Sequence, residues 1–334
     1  MGTFKEHMHE GFIYKLYIPN QSLKETPLPM VVMLHGCEQS SDQFANETRM
    51  NQLAEKEQFI VLYPSMNRFF NPLFDEPHKF NPAGCWNWFL DENHHREEGL
   101  PRIIANMINA VEKILNKKYN VFMDKNKVFA AGFSAGGAMA GILGVTYPEL
   151  FNGIAICSGL PYDAAKTNLW KDPWNKEAEY AMKNGVKDPY QSGRKAYQES
   201  LKAFTLMKST KKIPIIVFHG LKDTTVNQKN GNQLIIQWAQ MYYLIDGGQG
   251  KVNVIPSEVK RENVKNGKSY TKHVYQDSQK KNLIEFWQID DMNHAWSGGK
   301  KGKFSDPLGP DATTIIWEFF KKVTNRCNDK KQTL

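Results

Sequence analysis

Apolar and polar positions alternate from Phe12 to Ile18, the period of a half-buried strand. The next apolar stretches do not alternate. Met30–Leu34, Phe59–Tyr63, Val128–Ala131, Gly153–Cys157 and Ile213–Phe218 are short continuous runs, as expected of strands covered on both faces. Between them the period changes to that of helices. After Pro101, apolar residues fall at Ile103, Ile104, Met107, Ile108, Val111 and Ile114. Ser41-Asp42 offers an N-cap for a helix through about Glu55. Further helices are predicted over Asn232–Asp246 and Pro310–Val323, and neighbouring strands over Lys268–Gln276 and Asn282–Asp290. Strands alternating with crossover helices predict an α/β fold with a mostly parallel central sheet and helices on both faces. Two segments resist this scheme. Asn67–Glu98 reads as a long loop, and residues 162–212 as an insertion carrying Trp170, Trp174, Tyr180, Tyr190 and Tyr197 among lysines. An insertion of that length suits a cap over a pocket; plain surface helices are the alternative. Residues 1–334 are otherwise expected to form a single domain, for neither repeat nor linker stands out.

The run Val128–Ala131 leads into Gly132-Phe133-Ser134-Ala135-Gly136, which precedes the small-residue stretch Gly137–Gly141. Strand, sharp turn and helix are the context that makes G-x-S-x-G meaningful. Glycines flank the serine because a Cβ on either side would not fit. The turn presents the Ser134 hydroxyl at the end of the sheet, beside a helix N-terminus. Ser134 is therefore a candidate nucleophile.

A serine nucleophile needs a base, and the base an orienting carboxylate, in the chain order Ser, Asp/Glu, His. Asp223 stands just past the run Ile213–Phe218, where catalytic groups of open α/β sheets collect. His294 follows the last predicted strand. His35, His78 and His219 are out of order, His273 is mid-strand, and His7 and His9 lie in a polar N-terminal segment. His94 and His95 sit in a charged loop without metal-ligand spacing, so no metal site is assigned. Asp290 and Asp291 compete with Asp223 but are too close to His294 in sequence to reach its ring from the required side. Backbone N–H groups of Ala135, after the nucleophile, and of Cys37, after Met30–Leu34, are candidate oxyanion donors. Trp86, Trp88, Trp296 and His35 are candidate substrate contacts.

At this point the chain resembles a known family. His35-Gly36-Cys37-Glu38-Gln39, Cys85-Trp86-Asn87-Trp88-Phe89, Gly132–Ala140, Ser158-Gly159-Leu160-Pro161-Tyr162 and His294-Ala295-Trp296-Ser297-Gly298-Gly299 are similar to blocks of the poly(3-hydroxybutyrate) depolymerase family of esterases, in the same order across residues 12–325. The resemblance implies an α/β-hydrolase fold, ester hydrolysis without metal or organic cofactor, and a Cys37–Cys85 disulfide. Family substrates include microbial polyesters and the feruloyl and acetyl esters of plant walls. Poly- or oligo(3-hydroxybutyrate)-type esters are the leading expectation, feruloyl or acetylxylan esters the alternative, and a catalytically silent binding protein a remote one. Polymer-degrading members usually append a linker and a polymer-binding domain. None is visible here, which favours soluble oligomers or plant-wall esters over crystalline polymer.

Composition narrows little further. The 334 residues are 41% hydrophobic, enough for a real core, and no apolar run is long enough to span a membrane. The net charge of +8 invites a nucleic-acid reading, but Lys and Arg are scattered rather than striped, so no nucleic-acid partner is expected. The sequence says nothing of oligomeric state. Four cysteines permit a second bridge, with Cys157 and Cys327 as the remaining pair. A cross-link favours an oxidising compartment. The polar Met1–Glu10 is no signal peptide, so the expectation is an extracellular protein whose leader has been removed, with an intracellular one as the alternative.

Overall fold

The computed structural model describes residues 2–20, 26–68, 80–167, 176–277 and 279–328, the side chains of 325–328 excepted. Trp170, Trp174, His78 and the Cys327 side chain therefore lie outside the described residues. A ten-stranded sheet organises the chain in the order β1-β2-β4-β3-β5-β6-β7-β10-β9-β8. Its centre is parallel: β4 (Ile60–Pro64), β3 (Leu28–Leu34), β5 (Met123–Phe133), β6 (Ile154–Cys157), β7 (Ile215–Gly220) and β10 (Asn282–Ile289). Antiparallel strands finish both edges, β1 (Thr3–His9) and β2 (Phe12–Ile18) on one side, β9 (Ser269–Gln276) and β8 (Glu258–Asn263) on the other. This is the α/β architecture expected from the alternation of strand and helix patterns.

The central strands read as continuous apolar runs because both of their faces are covered. On β5, Val128 and Ala130 belong to one core, and Phe129, Ala131 and Phe133 to the other. The first core is closed by α3 (Gly99–Ile114), α4 (Ala135–Thr146) and α7 (Lys229–Ile245). The second is closed by α1 (Ser41–Thr48), α2 (Met50–Glu57) and α8 (Ala312–Asn328), with Phe129 stacked on Phe320 at 4.4 Å and Phe59 on Trp317 at 4.0 Å. Helix α4 is buried along its whole length, which its run of Gly, Ala and small apolar residues permits.

One expectation is corrected. The single helix read from Ser41 to Glu55 is two helices, because Arg49 takes a left-handed conformation at φ 58° between them. Its cap is Ser40, whose side chain accepts from the Gln43 N–H while Gln43 returns a bond to the Ser40 N–H. In the insertion, α5 (Lys176–Asn184) and α6 (Pro189–Met207) join the helix layer. Ser200 donates to the Val145 carbonyl at 2.9 Å, and Gly193 leaves no room for a Cβ against the Gln237 carbonyl. Helix α5 also supports the loop after β7, where the Asn227 N–H donates to the Met182 carbonyl and the Lys183 ammonium to that of Thr224. Among the described residues no helix is long and apolar enough to cross a membrane.

Candidate active site

The carboxyl ends of β5, β7 and β10 converge on one point. Ser134 follows β5 with φ 55° and ψ −122°, a backbone region costing about 1–3 kcal/mol that persists only where its surroundings fix it. Those surroundings are glycine contacts. A Cβ on Gly132 would lie 2.0 Å from the Gly136 carbonyl oxygen, and one on Gly136 would lie 2.0 Å from that of Leu34. The second contact also brings the turn after β3 against the serine turn.

Asp223 is reached by a tight turn after β7. Its Oδ1 accepts from the N–H groups of Thr225 and Val226 at 3.0 and 2.9 Å, which aims Oδ2 at His294. The loop bearing His294 crosses over Gly220, where a Cβ would lie 2.2 Å from the Met292 carbonyl oxygen. The Leu221 and Lys222 amides donate to the carbonyls of Ile289 and Met292 and tie the two loops together. The result is a continuous chain of hydrogen bonds. His294 Nδ1–H donates to Asp223 Oδ2 at 2.7 Å, and the Ser134 hydroxyl donates to His294 Nε2 at 2.8 Å. The imidazole also lies against the Phe133 ring at 4.7 Å. Asp290 is engaged elsewhere, by Arg261.

Burial alone would raise the Asp223 carboxyl, but the His294 bond, the charges of His294 and His219 and the Val226 N–H outweigh it and hold it below the usual carboxylate range. Asp223 is thus an anion, which fixes the proton on Nδ1 of His294 and leaves Nε2 free to accept. Below it, His219 is wholly buried and donates from Nε2 to the Val226 carbonyl at 2.8 Å. Burial pushes its pKa down. Sequence order sets His219 aside as a base; its position shows it packed under the acid's turn.

The Cys37 and Ala135 amides donate to no acceptor among the described residues. Cys37 is bridged to Cys85, closing a separation of 48 residues worth about 4 kcal/mol in the chain-entropy view. Cys157 is buried and free.

The four candidate substrate contacts are all interior. Trp86, Trp88 and Trp296 are 0%, 4% and 1% exposed. The Trp296 indole N–H donates to Thr313 Oγ1 and its ring meets Phe44 edge-on. Trp86 and Trp88 belong to one core and Trp296 to the other. His35 donates from Nδ1 to the Gly36 carbonyl and accepts from the Met66 N–H, bracing the turn that carries Cys37. His94 and His95 have separate surroundings: His94 packs edge-on to Tyr162, and His95 lies between Asp91 and Glu199.

Burial lowers both His35 and His94 to about 4. Each is neutral when folded and takes up its proton sooner when unfolded, so its stabilisation is present above the unfolded value of about 6.5 and is lost as pH falls towards 4. We expect the melting temperature to drop across that interval, and less steeply in His94→Phe. Equal slopes for the two proteins, measured by calorimetry, would contradict this account.

A family model described as Esterase PHB depolymerase matches residues 12–264. The chain belongs to this esterase family. It is thereby a carboxylic ester hydrolase by kinship. Feruloyl esterase B of Thermothelomyces thermophilus is 28% identical over 227 residues, 68% of this chain and 69% of that protein. Poly(3-hydroxyalkanoate) depolymerase C of Paucimonas lemoignei is 28% identical over 219 residues, 65% of this chain but only 46% of its own length. The solved acetyl xylan esterase of Aspergillus awamori superposes with a TM-score of 0.69 at 21% identity, covering 96% of this esterase and 99% of that chain, a likeness of fold.

Proposed function

We propose that this chain is a serine esterase whose nucleophile, base and acid are Ser134, His294 and Asp223. The observation that carries the reading is the Asp223–His294–Ser134 hydrogen-bond chain at the carboxyl edge of the sheet. Ser134 Oγ attacks the ester carbonyl as His294 Nε2 takes its proton. Asp223 stabilises the resulting imidazolium. The carbonyl oxygen becomes an anion, and the Cys37 and Ala135 amides donate to it. Collapse breaks the bond to the alcohol oxygen, which leaves with the proton held by His294. Water then attacks the acyl-enzyme by the same steps, and the acid departs with Ser134 regenerated. These steps use only side chains, backbone amides and water.

For substrate, we favour soluble oligoesters of the 3-hydroxybutyrate type, in keeping with the family's description. A feruloyl ester is the second reading, favoured by the relative that aligns over the larger share of both chains. An extracellular site of action fits the disulfide.

The test is a panel of hydroxybutyrate oligomers, ethyl ferulate, acetylated xylan and p-nitrophenyl butyrate. The expected result is turnover of p-nitrophenyl butyrate with the highest kcat/KM of the natural-type esters on the oligomers. A preference for ferulate or acetylxylan would replace the substrate and keep the mechanism. No turnover of any ester would leave a silent binding protein on this fold.

A further inference from the structure

The turn that carries Cys37 is held by a buried side-chain relay outside the triad. The Gly36 N–H donates to Gln39 Oε1 at 2.9 Å, and Gln39 Nε2 donates to Glu47 Oε2 at 2.8 Å. The other Glu47 oxygen accepts from the Lys303 N–H at 3.2 Å, and the Glu47 carbonyl accepts from that of Lys300 at 2.8 Å. Gln39 and Glu47 are 2% and 8% exposed, so neither is replaced by solvent without cost. Glycines make the fit close: a Cβ on Gly302 would lie 2.4 Å from Glu47 Oε1, and one on Gly299 would lie 2.3 Å from the Glu47 carbonyl oxygen.

Three parts of the chain meet here: the turn after β3, the end of α1, and the loop that follows His294. We propose that Gln39 and Glu47 are positioning residues that set the Cys37 amide against the nucleophile and hold the His294 loop in register with it. The inference rests on the proposed roles of Ser134 and Cys37. Its physical basis is directional. Gly36 and Cys37 are consecutive amides. The Gly36 N–H, engaged by Gln39, fixes the peptide plane between His35 and Gly36, and the Gly36 carbonyl, which shares a plane with the Cys37 N–H, accepts from His35 Nδ1 and the Gln39 N–H, while the Cys37 N–H stays free for the oxyanion. The carboxamide of Gln39 has one orientation that satisfies both neighbours, and the Glu47 carboxylate, an acceptor only, enforces it. Donor alignment matters because a misplacement of about 1 Å can cost about 100-fold in rate.

Exchanging the two groups tests this. Gln39→Glu places two carboxylates face to face, and Glu47→Gln turns an amide N–H toward a donor. The double exchange rebuilds every bond. The carboxylate now at position 39 accepts from the Gly36 N–H and from the carboxamide now at position 47, whose oxygen still accepts from the Lys303 N–H. Steady-state kinetics on p-nitrophenyl butyrate and inhibition by an alkyl trifluoromethyl ketone, whose serine adduct carries an oxyanion, are measured on each. Each single variant is expected to lose about 10–100-fold in kcat with KM changed less than about three-fold, and to bind the ketone more weakly in proportion to kcat/KM. The double variant is expected to recover both. Gln39→Met, which removes the bonds without adding charge, guards against misfolded singles and should show the same kcat loss. Unchanged kcat in Gln39→Met, or a folded double variant no better than the singles, would overturn the relay. Ser134→Ala separates the two levels: activity surviving there defeats the serine-esterase reading itself, whereas an inert Ser134→Ala with an unaffected Gln39→Met defeats only the relay.

Discussion

Ser134→Ala should lose at least about 10⁴-fold in kcat/KM while folding as the wild type does. In the proposed mechanism the hydroxyl oxygen is the atom that becomes acylated, and no neighbouring group in the hydrogen-bond chain can replace it. Its removal costs the structure little. The Ser134 side chain donates to His294 Nε2, whereas the turn is held by the backbone, through the Ser134 N–H on the Cys157 carbonyl and the contacts of Gly132 and Gly136. Alanine meets the same positive-φ penalty as serine, so the melting temperature should barely change. A fluorophosphonate should label Ser134 in the wild type and nothing in the variant. Labelling at another residue, or a kcat within ten-fold of wild type, would end the assignment.

Asp223→Asn is the second large effect. The Asn carbonyl can keep the Thr225 and Val226 N–H bonds that Oδ1 now accepts. Its amide then faces His294 Nδ1 with a donor where an acceptor stood. The imidazole responds by carrying its proton on Nε2, and Ser134 loses its acceptor. We expect about a 10³–10⁴-fold fall in kcat with KM little altered. The sign of the pH dependence follows from the depressed carboxyl. A carboxylate lowered by folding stabilises the native state above its unfolded pKa, and that contribution is lost only as pH falls through the lower, folded value. Protonation of Asp223 is therefore not expected to set the acid limb of the activity. A variant with kcat within ten-fold of wild type would show that Asp223 does not set the tautomer.

The Asp223–His294–Ser134 cluster was legible because each member is announced by local chemistry. Glycine spacing betrays the serine turn, and Asp223 and His294 both follow apolar runs that have to be strands. The parallel centre was legible for a related reason, since strands covered on both faces carry runs too apolar for anything else. The edges were not. Strand β8 is Glu258-Val259-Lys260-Arg261-Glu262-Asn263, almost wholly exposed, and β1 is half polar. An edge strand needs neither a buried face nor an apolar run, and charge there discourages pairing with other chains. The break at Arg49 was hidden because nothing in the residue type demands a left-handed turn. The Gln39–Glu47–Lys303 relay was hidden for another reason: Glu47 and Lys303 are 256 residues apart, and only the fold brings them together. The role of the tryptophans was not legible, because a ring suited to an acyl chain is equally suited to the interior.

The Cys37–Cys85 bridge makes the quality of a preparation depend on where the polypeptide is made. Its sulfurs join the residue whose amide is the proposed oxyanion donor to the block leading into Trp86 and Trp88. In a reducing cytosol that tie is absent, and the turn keeps only its hydrogen bonds, such as Glu38 N–H to the Ala83 carbonyl at 2.7 Å. Material from a reducing host and material from a secretory host then share one sequence and differ by two hydrogen atoms. A kcat averaged over such a mixture belongs to neither species, and counting free thiols in denaturant before comparing batches separates a slow enzyme from a half-oxidised one.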